Sequence, residues 1–480
     1  MNRRPINLRE AWPWMLLIAI VAFGPLLGAC SAPGASATPT PTKTPRGPEA
    51  TVTAEPAKGV PPLALDTPVG ASSGTTSTAV PAATPVTAAT ANPAATPAAG
   101  ATPAAAAGPK PGGGGSGMTS PDFGIQAFLW WRPEVADRDL GLLKDAGFHW
   151  VKQLFNWQDI EGAGQGQYNW DNADRVVEQV QKYNLKLLAR VSADPDKPFW
   201  AGVPPASSDA FARYAGAVAK RYAGKIAAYQ IWNEPNLARE WGNKRPDPVA
   251  YAKMLKAAYA AIKAADPQAI IITAGMAPTS EDSDRAMPDM RFYQGMYNAM
   301  GGSSQGYFDM LGAHAAGYAV SPDTDPQVVV NDPKLHNNDP SAPDLLRVYA
   351  FRHVEDVRAL MVKNGDTNKR LAILEFGWTF DNRADSPYYW HGAGAGITDF
   401  VQGTYIVQAF QYAAAHYQPW IGVMTAIYMP DVQWTKNDEQ YYWSIIGPGY
   451  PDNFWRPPYI DLCIYINGLN GQKCKYDPNH

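Results

Sequence analysis

Two glutamates stand where a carboxylic acid could do chemistry. Glu234 lies in Ile231-Trp232-Asn233-Glu234-Pro235-Asn236, and Glu375 in Leu374-Glu375-Phe376-Gly377-Trp378. Each follows a short apolar or β-branched run, Ala227 to Ile231 in one case and Leu371 to Leu374 in the other, so each is expected where a buried strand runs out into a loop. In an eight-fold β/α barrel the carboxyl ends of all strands converge on one face, which brings both acids to one rim. One carboxyl that protonates a departing sugar oxygen and another that attacks the anomeric carbon or activates water are what glycosidic bond cleavage requires.

The elements needed to hold the acids there can be read in order. Strands are expected at Phe123 to Phe128, Trp150 to Phe155, Lys186 to Val191, Ala227 to Trp232, Ala269 to Ala274, Met310 to Ala315, Leu371 to Glu375 and Ile421 to Met429. Helices are expected between and after them: Glu134 to Ala146, Asn172 to Tyr183, Asp209 to Tyr222, Pro248 to Ala265, Met290 to Met300, Asp344 to Lys363, Ile397 to His416 and Pro458 to Gly468. Eight alternating pairs imply parallel strands and an α/β, (β/α)8 TIM-barrel fold. Ala269 to Ala274 is continuously apolar, as a strand covered on both faces should be. Tyr318 to Pro343, rich in Asp, Pro and Asn, is expected to be a loop over the active face.

The pair WNEPN and LEFGW resembles the fourth- and seventh-strand signatures of the retaining glycoside hydrolases of clan A, nearest to families 39 and 5, and the resemblance covers the chain from Asp122 onward. It implies that Glu234 is the general acid and base and Glu375 the nucleophile. Glu234 must then hold a proton at working pH, so burial and its partner's charge should raise its pKa, while Glu375 stays ionised. The resemblance also implies that Asn233 binds the sugar 2-hydroxyl, and that His314 and Tyr318 stand beside the nucleophile. Trp130, Trp131, Trp157, Trp232, Trp378, Tyr428 and Trp434 fall at or just beyond expected strand ends. There they should face the cleft, where flat rings stack on sugars. Arg190, ending the third strand, could bind substrate or pair with a neighbouring acid. Unlike well-known family 39 xylosidases, the chain leaves no room for a substantial accessory β-domain after the eighth strand, which favours endo-acting hydrolysis of a polysaccharide or oligosaccharide. The same residues would serve a transglycosylase, and a catalytically inactive carbohydrate-binding surface lipoprotein is the alternative from another class.

The rest of the chain says where such a domain would work. Arg3, Arg4 and Arg9 precede an apolar run from Trp14 to Leu27 that ends in Leu27-Gly28-Ala29-Cys30, the pattern of a secretory signal with a bacterial lipobox. Residues 1–30 are thus expected to be a lipoprotein signal peptide with Cys30 lipidated. The other reading is an uncleaved anchor over Ala11 to Ala29, just long enough to span a bilayer. Residues 31–118, almost wholly Ala, Thr, Pro, Gly and Ser, form a disordered tether with too few large apolar residues to fold. One folded catalytic domain, 119–480, remains despite the 480-residue length. The predicted setting is extracytoplasmic, on a membrane, as a monomer.

A formal net charge of −4 offers no clustered basic face for nucleic acid. Cys463 and Cys474 flank the end of the last helix and could form a disulfide in an exported protein, whereas three cysteines in all suit neither a disulfide scaffold nor a zinc site. No cofactor or metal is expected, because two carboxylates suffice for the chemistry.

Overall fold

The computed structural model describes residues 117–451 and 455–477. The expected signal segment with Cys30, and all but the last two residues of the tether, lie outside the described residues. Eight parallel strands close into a barrel in sequence order, with the first pairing the last. They are β1 (Asp122–Gln126), β2 (Trp150–Asn156), β3 (Lys186–Ser192), β4 (Ile226–Ile231), β5 (Ile270–Thr273), β6 (Met310–Ala316), β7 (Arg370–Gly377) and β8 (Ile421–Ala426). Around them run α1 (Pro133–Asp145), α2 (Trp157–Glu161), α3 (Asp171–Lys182), α4 (Ser208–Arg221), α5 (Pro248–Ala265), α6 (Asp289–Ala299), α7 (Pro326–Asn331), α8 (Val354–Lys363), α9 (Asp399–His416) and α10 (Pro457–Leu469).

Local chemistry accounts for several of these boundaries. Asp247 accepts from the backbone N–H groups of Val249 and Ala250 while Pro248 takes the first helical position, so α5 starts with its exposed donors satisfied. Thr398 and Ser207 cap α9 and α4 in the same manner. Cys463 and Cys474 are joined by a disulfide with Cα atoms 5.4 Å apart, tying the segment after α10 back onto that helix.

The core has two layers, as the strand period of two requires. Inward residues Trp150, Leu188, Ala228, Ile272, Met310, Leu374 and Val423 fill the lower barrel. Outward residues such as Val151, Leu187, Tyr229, Ile271, Leu311 and Ile373 pack beneath the helices.

Two elements differ from expectation. The helix expected over Asp344 to Lys363 breaks into short 3-10 turns at Leu346–Tyr349 and Phe351–His353, and only Val354–Lys363 is α-helical. Ala350 is extended (φ −135°, ψ 143°) between those turns, and Tyr349 packs against Tyr318 and Trp390, so tertiary contacts override a helical pattern. The expected loop over the active face contains α7, whose N-cap Asp325 and following Pro326 are a helix start in an otherwise polar stretch.

Candidate active site

As the strands climb toward their carboxyl ends, the inward row turns from apolar to polar. Two residues beyond Trp150, Leu188 and Ala228 stand Lys152, Arg190 and Gln230, and four beyond Met310 stands His314. Glu375 is His314's register partner on the neighbouring strand, at a point where the β6–β7 pairing shifts by one residue. That shift turns Glu375 inward, directly after the inward-facing Leu374.

Glu234 comes from the loop after β4, which is held in an unusual shape. Trp232 and Glu234 have φ values of 71° and 34°, in the region that side chains other than glycine rarely adopt, at a cost of roughly 1–3 kcal/mol each. Neighbouring contacts offset that cost. The Trp232 indole N–H donates to Glu240 O at 2.9 Å, and the Glu234 N–H donates to Gly275 O at 3.2 Å. Asn236 clamps the loop from below, its amide donating to Ala277 O (2.9 Å) and Met287 O (3.0 Å) while its oxygen accepts from Ala277 N (2.9 Å). The second asparagine of WNEPN thus acts through the backbone.

Together these elements set the two acids face to face. A carboxylate oxygen of Glu234, one of Glu375 and a ring nitrogen of His314 all lie within 4.8 Å of one another, and all three residues are buried. His314 Nδ1 is 2.8 Å from Glu234 Oε1 and 3.9 Å from Glu375 Oε2. The imidazole therefore stands between the acids and bonds to Glu234; the resemblance had placed it beside Glu375. Arg239 reaches Glu234 Oε2 at 3.5 Å.

Glu375 is neutralised by the protein itself. Lys152, fully buried, donates to Glu375 Oε1 at 2.8 Å and to Leu374 O at 3.0 Å, and Arg190 stands 4.0 Å from the same oxygen. Burial alone would raise the Glu375 carboxyl, but Lys152, His314 and Arg190 together outweigh it and bring it down to about 2. Burial conversely pulls the Lys152 ammonium down to about 8, against the opposing pull of Glu375. Glu234, His314 and Glu375 are also the set of donors here that could hold a metal ion, but Lys152 already occupies Glu375 Oε1 with a positive charge.

The two carboxyls open onto a cleft whose walls include Tyr318, Phe376, Tyr388, His391, Ile427 and Trp443. Burial pushes His391 down to about 3, so its ring is neutral there. Two further acids stand near Arg239. Burial and the charge of Glu234 push Glu240 up to about 7 against Arg239 and Arg190, and burial pushes Glu439 up to about 7 against Tyr388 and Arg239.

The other residues singled out in the sequence divide between site and core. Asn233 is buried at the rim, its side-chain oxygen accepting from Gln230 at 3.3 Å. Tyr318 lines the cleft with its hydroxyl donating to Pro278 O at 3.0 Å, and the group in contact with Glu375 is Lys152. Tyr428 lies over the centre near both glutamates and packs with Phe128 and Trp434, itself half-buried. Trp130 and Trp131 line a second cavity, apart from the cleft between the glutamates.

Three tryptophans do not face the cleft. Trp157 has no exposed surface, stacks on Tyr214 and donates to Glu161, because the chain turns outward into α2 directly after β2. Trp378 is equally buried between Phe351 and Tyr405 with its N–H on Val320 O, and a Cβ on Gly317 would fall 1.7 Å from its ring. Trp232 is buried against Phe211 and Trp241. Trp157 and Trp378 continue the outward row that meets the helices, whereas Trp232 follows the inward Ala228 and Gln230 and reaches that layer through its left-handed backbone.

Gly275 supplies a test of the His314 position. A Cβ there would lie 2.1 Å from His314 Cδ2 and 2.4 Å from Nε2, so Gly275→Ala must push the imidazole off Glu234. The variant should lose about 1–3 kcal/mol of stability, read as a lower urea midpoint at unchanged slope, together with most activity. Wild-type activity in that variant would show the imidazole contact to be dispensable.

The model of the family "Cellulase (glycosyl hydrolase family 5)" matches residues 114–337, which include Glu234. No curated protein matches the chain in sequence. Among solved structures, a family 39 glycoside hydrolase from the gut symbiont Bacteroides cellulosilyticus WH2 is 16% identical with a TM-score of 0.50, over 73% of this chain and 64% of that one. A glucosidase from Croceicoccus marinus is 13% identical with a TM-score of 0.51, over 74% and 69%. The chain thus spans about two thirds of the length of these structures, and at such identities they speak to the fold. Family match and closed barrel agree with one another: residues 114–337 are similar to family 5 cellulases, and the chain folds as a TIM barrel.

Proposed function

We propose that the enzyme hydrolyses O-glycosidic bonds with retention of anomeric configuration, Glu234 serving as acid and base and Glu375 as nucleophile. The observation that carries this reading is that an oxygen of each carboxyl lies within 4.8 Å of one on the other, with His314 between the two acids. Retaining pairs stand about 5–5.5 Å apart, whereas inverting pairs need about 6.5–9.5 Å to admit a water. Glu375 Oε1 is held by Lys152, which leaves Oε2 to attack the anomeric carbon as Glu234 gives its proton to the leaving oxygen. Water then attacks the same carbon, Glu234 takes its proton, and the Glu375 carboxylate departs. With the cellulase family name as the guide to substrate, a β-1,4-linked glucan is the first polymer to try. Proton NMR of the first-formed product tests the stereochemistry: β-anomer appearing before mutarotation is expected, and α-anomer appearing first would overturn retention.

Lys152 gives this mechanism a separable signature. In the second step Glu375 is the leaving group, and the ammonium stabilises it as charge returns to the oxygen. Lys152→Met should therefore lower kcat on activated aryl glycosides, which are limited by that step, on the order of 10²-fold, and kcat/KM by less. The pH dependence follows from the lowered Glu375 carboxyl. Activity needs ionised Glu375 and is lost as pH falls through its pKa, about 2 in the wild type. Removing Lys152 leaves burial less opposed, so the pKa rises and the acid limb of kcat/KM moves to higher pH. An unmoved acid limb in the variant would detach Lys152 from the nucleophile's ionisation.

We further propose export and anchoring through Cys30, with residues 31–118 as the tether. The Cys463–Cys474 bond supports this, since disulfides persist chiefly outside the cytoplasm. Cys30→Ser should release the enzyme from the membrane fraction; retention there would favour an uncleaved anchor.

A further inference from the structure

The first chemical step moves one negative charge across the site. As Glu375 Oε2 bonds to the anomeric carbon, its carboxylate becomes a neutral ester; the electron pair of the broken bond goes to the leaving oxygen, which takes the proton of Glu234, and Glu234 becomes the carboxylate. Where the charge starts stands Lys152, 2.8 Å from Glu375 Oε1. Where it arrives stands Arg239, whose guanidinium donates to Glu234 Oε2 at 3.5 Å while Glu234 Oε1 faces His314. No lysine or other arginine pairs with Glu234 among the described residues. Arg239 sits in a 3-10 turn, Ala238–Trp241, that the backbone ties to the acid's own loop. The Leu237 N–H donates to Glu234 O at 2.9 Å, and Glu240 O accepts the Trp232 indole N–H, so the segment from the acid to the arginine is fixed at both ends. Gly242, with φ 64°, closes the turn against the Val203 carbonyl and leaves no room there for a Cβ. Burial pushes the two other acids near Arg239, Glu240 and Glu439, up to about 7, so in mildly acidic solution both are largely neutral and the guanidinium acts on Glu234.

We propose that Arg239 is a positioning residue for the acid: it holds Glu234 Oε2 and stabilises the negative charge that Glu234 gains as it gives up its proton. It is the counterpart of Lys152. One cation serves each carboxyl, so the charge that passes from Glu375 to Glu234 in the first step, and back in the second, meets a positive group at both ends. The proposal rests on the hydrolase reading and deepens it. Its effect must grow with the leaving oxygen's need for a proton, because a group that helps Glu234 ionise matters little to a leaving group that departs as an anion. An arginine that only held the turn together would matter equally to both. The side chain is 35% exposed, so solvent screens part of its charge, and the expected effect lies at the low end for a hydrogen bond to a charged group.

The test holds the sugar constant and varies the leaving group. Dinitrophenyl and phenyl glycosides are compared in whichever of the gluco, xylo or manno series the wild type turns over fastest, and kcat/KM is read for each. Arg239→Met keeps the apolar stem and removes the charge; the ratio of kcat/KM on the dinitrophenyl substrate to that on the phenyl substrate should rise about tenfold over wild type. Arg239→Lys, which restores a cation, should bring most of that ratio back. Should Arg239→Met not fold, Arg239→Gln, which keeps a donor without the charge, is read in its place. Equal loss on both substrates would mean a structural role, and no loss on either would mean an idle arginine. A ratio as high in Arg239→Lys as in the neutral variant would mean that charge is not what acts. Each of these overturns the proposal while the hydrolase reading stands. A wild type that cleaves none of the glycosides would instead remove the hydrolase reading, and the proposal with it.

Discussion

Glu375→Ala should lose about 10⁵-fold or more in kcat/KM, because no other group stands where it can form the glycosyl intermediate. The variant also leaves Lys152 buried without its carboxylate, which can itself destabilise the fold by roughly 3–5 kcal/mol. Glu375→Gln, which keeps volume and a hydrogen-bond acceptor for Lys152, separates the two effects: its thermal midpoint should fall less than that of Glu375→Ala while turnover remains lost. Azide supplies a positive signal. A small anion entering the space vacated in Glu375→Ala attacks the anomeric carbon from the nucleophile's face, giving a glycosyl azide of configuration opposite to the substrate. Undiminished sugar release by both variants would take Glu375 out of the mechanism.

Glu234→Ala should divide substrates by the quality of their leaving group. A sugar hydroxyl departs only with a proton, so oligosaccharide hydrolysis should fall about 10²- to 10⁴-fold. A dinitrophenolate needs no proton, so kcat/KM on a dinitrophenyl glycoside should be nearly unchanged. In that case the second step, which lacks its base, becomes slow; kcat and KM fall together and the intermediate accumulates. Azide should then restore kcat and yield a glycosyl azide with the substrate's own configuration. Opposite product anomers from the two variants would assign the two roles independently. A loss of equal size on both substrate types would mean that Glu234 supports the fold and gives no proton.

The barrel and its acid pair were legible because they depend on local patterns. Eight apolar runs alternate with helical ones, and each glutamate directly follows such a run. Lys152 left a fainter signal, a single cation at an inward position in Trp150-Val151-Lys152-Gln153-Leu154-Phe155, two residues beyond the inward Trp150. An alternation count would have pointed it into the barrel, but its partner is 223 residues away and only closure brings them together. Glu240 was hidden similarly: it lies six residues past Glu234 in a short 3-10 turn, and its approach to the centre depends on the left-handed backbone at Trp232 and Glu234. The tryptophans show the converse error. Trp157, Trp232 and Trp378 each stand one residue beyond a strand, where the chain leaves the barrel wall and the position alone does not say on which side a ring falls. In all three the ring joins the layer between strands and helices, where a large apolar surface is buried most completely.

The most direct measurement is mass spectrometry of the enzyme after incubation with a dinitrophenyl 2-deoxy-2-fluoro glycoside of the preferred sugar series. Fluorine slows both steps while the good leaving group keeps the first one fast, so the covalent intermediate should persist. A mass gain of one fluoroglycosyl group per chain is expected, located on the peptide that contains Glu375 and absent from Glu375→Gln. A label on any other residue, or prompt turnover of this glycoside by an enzyme that never carries a label, would contradict it.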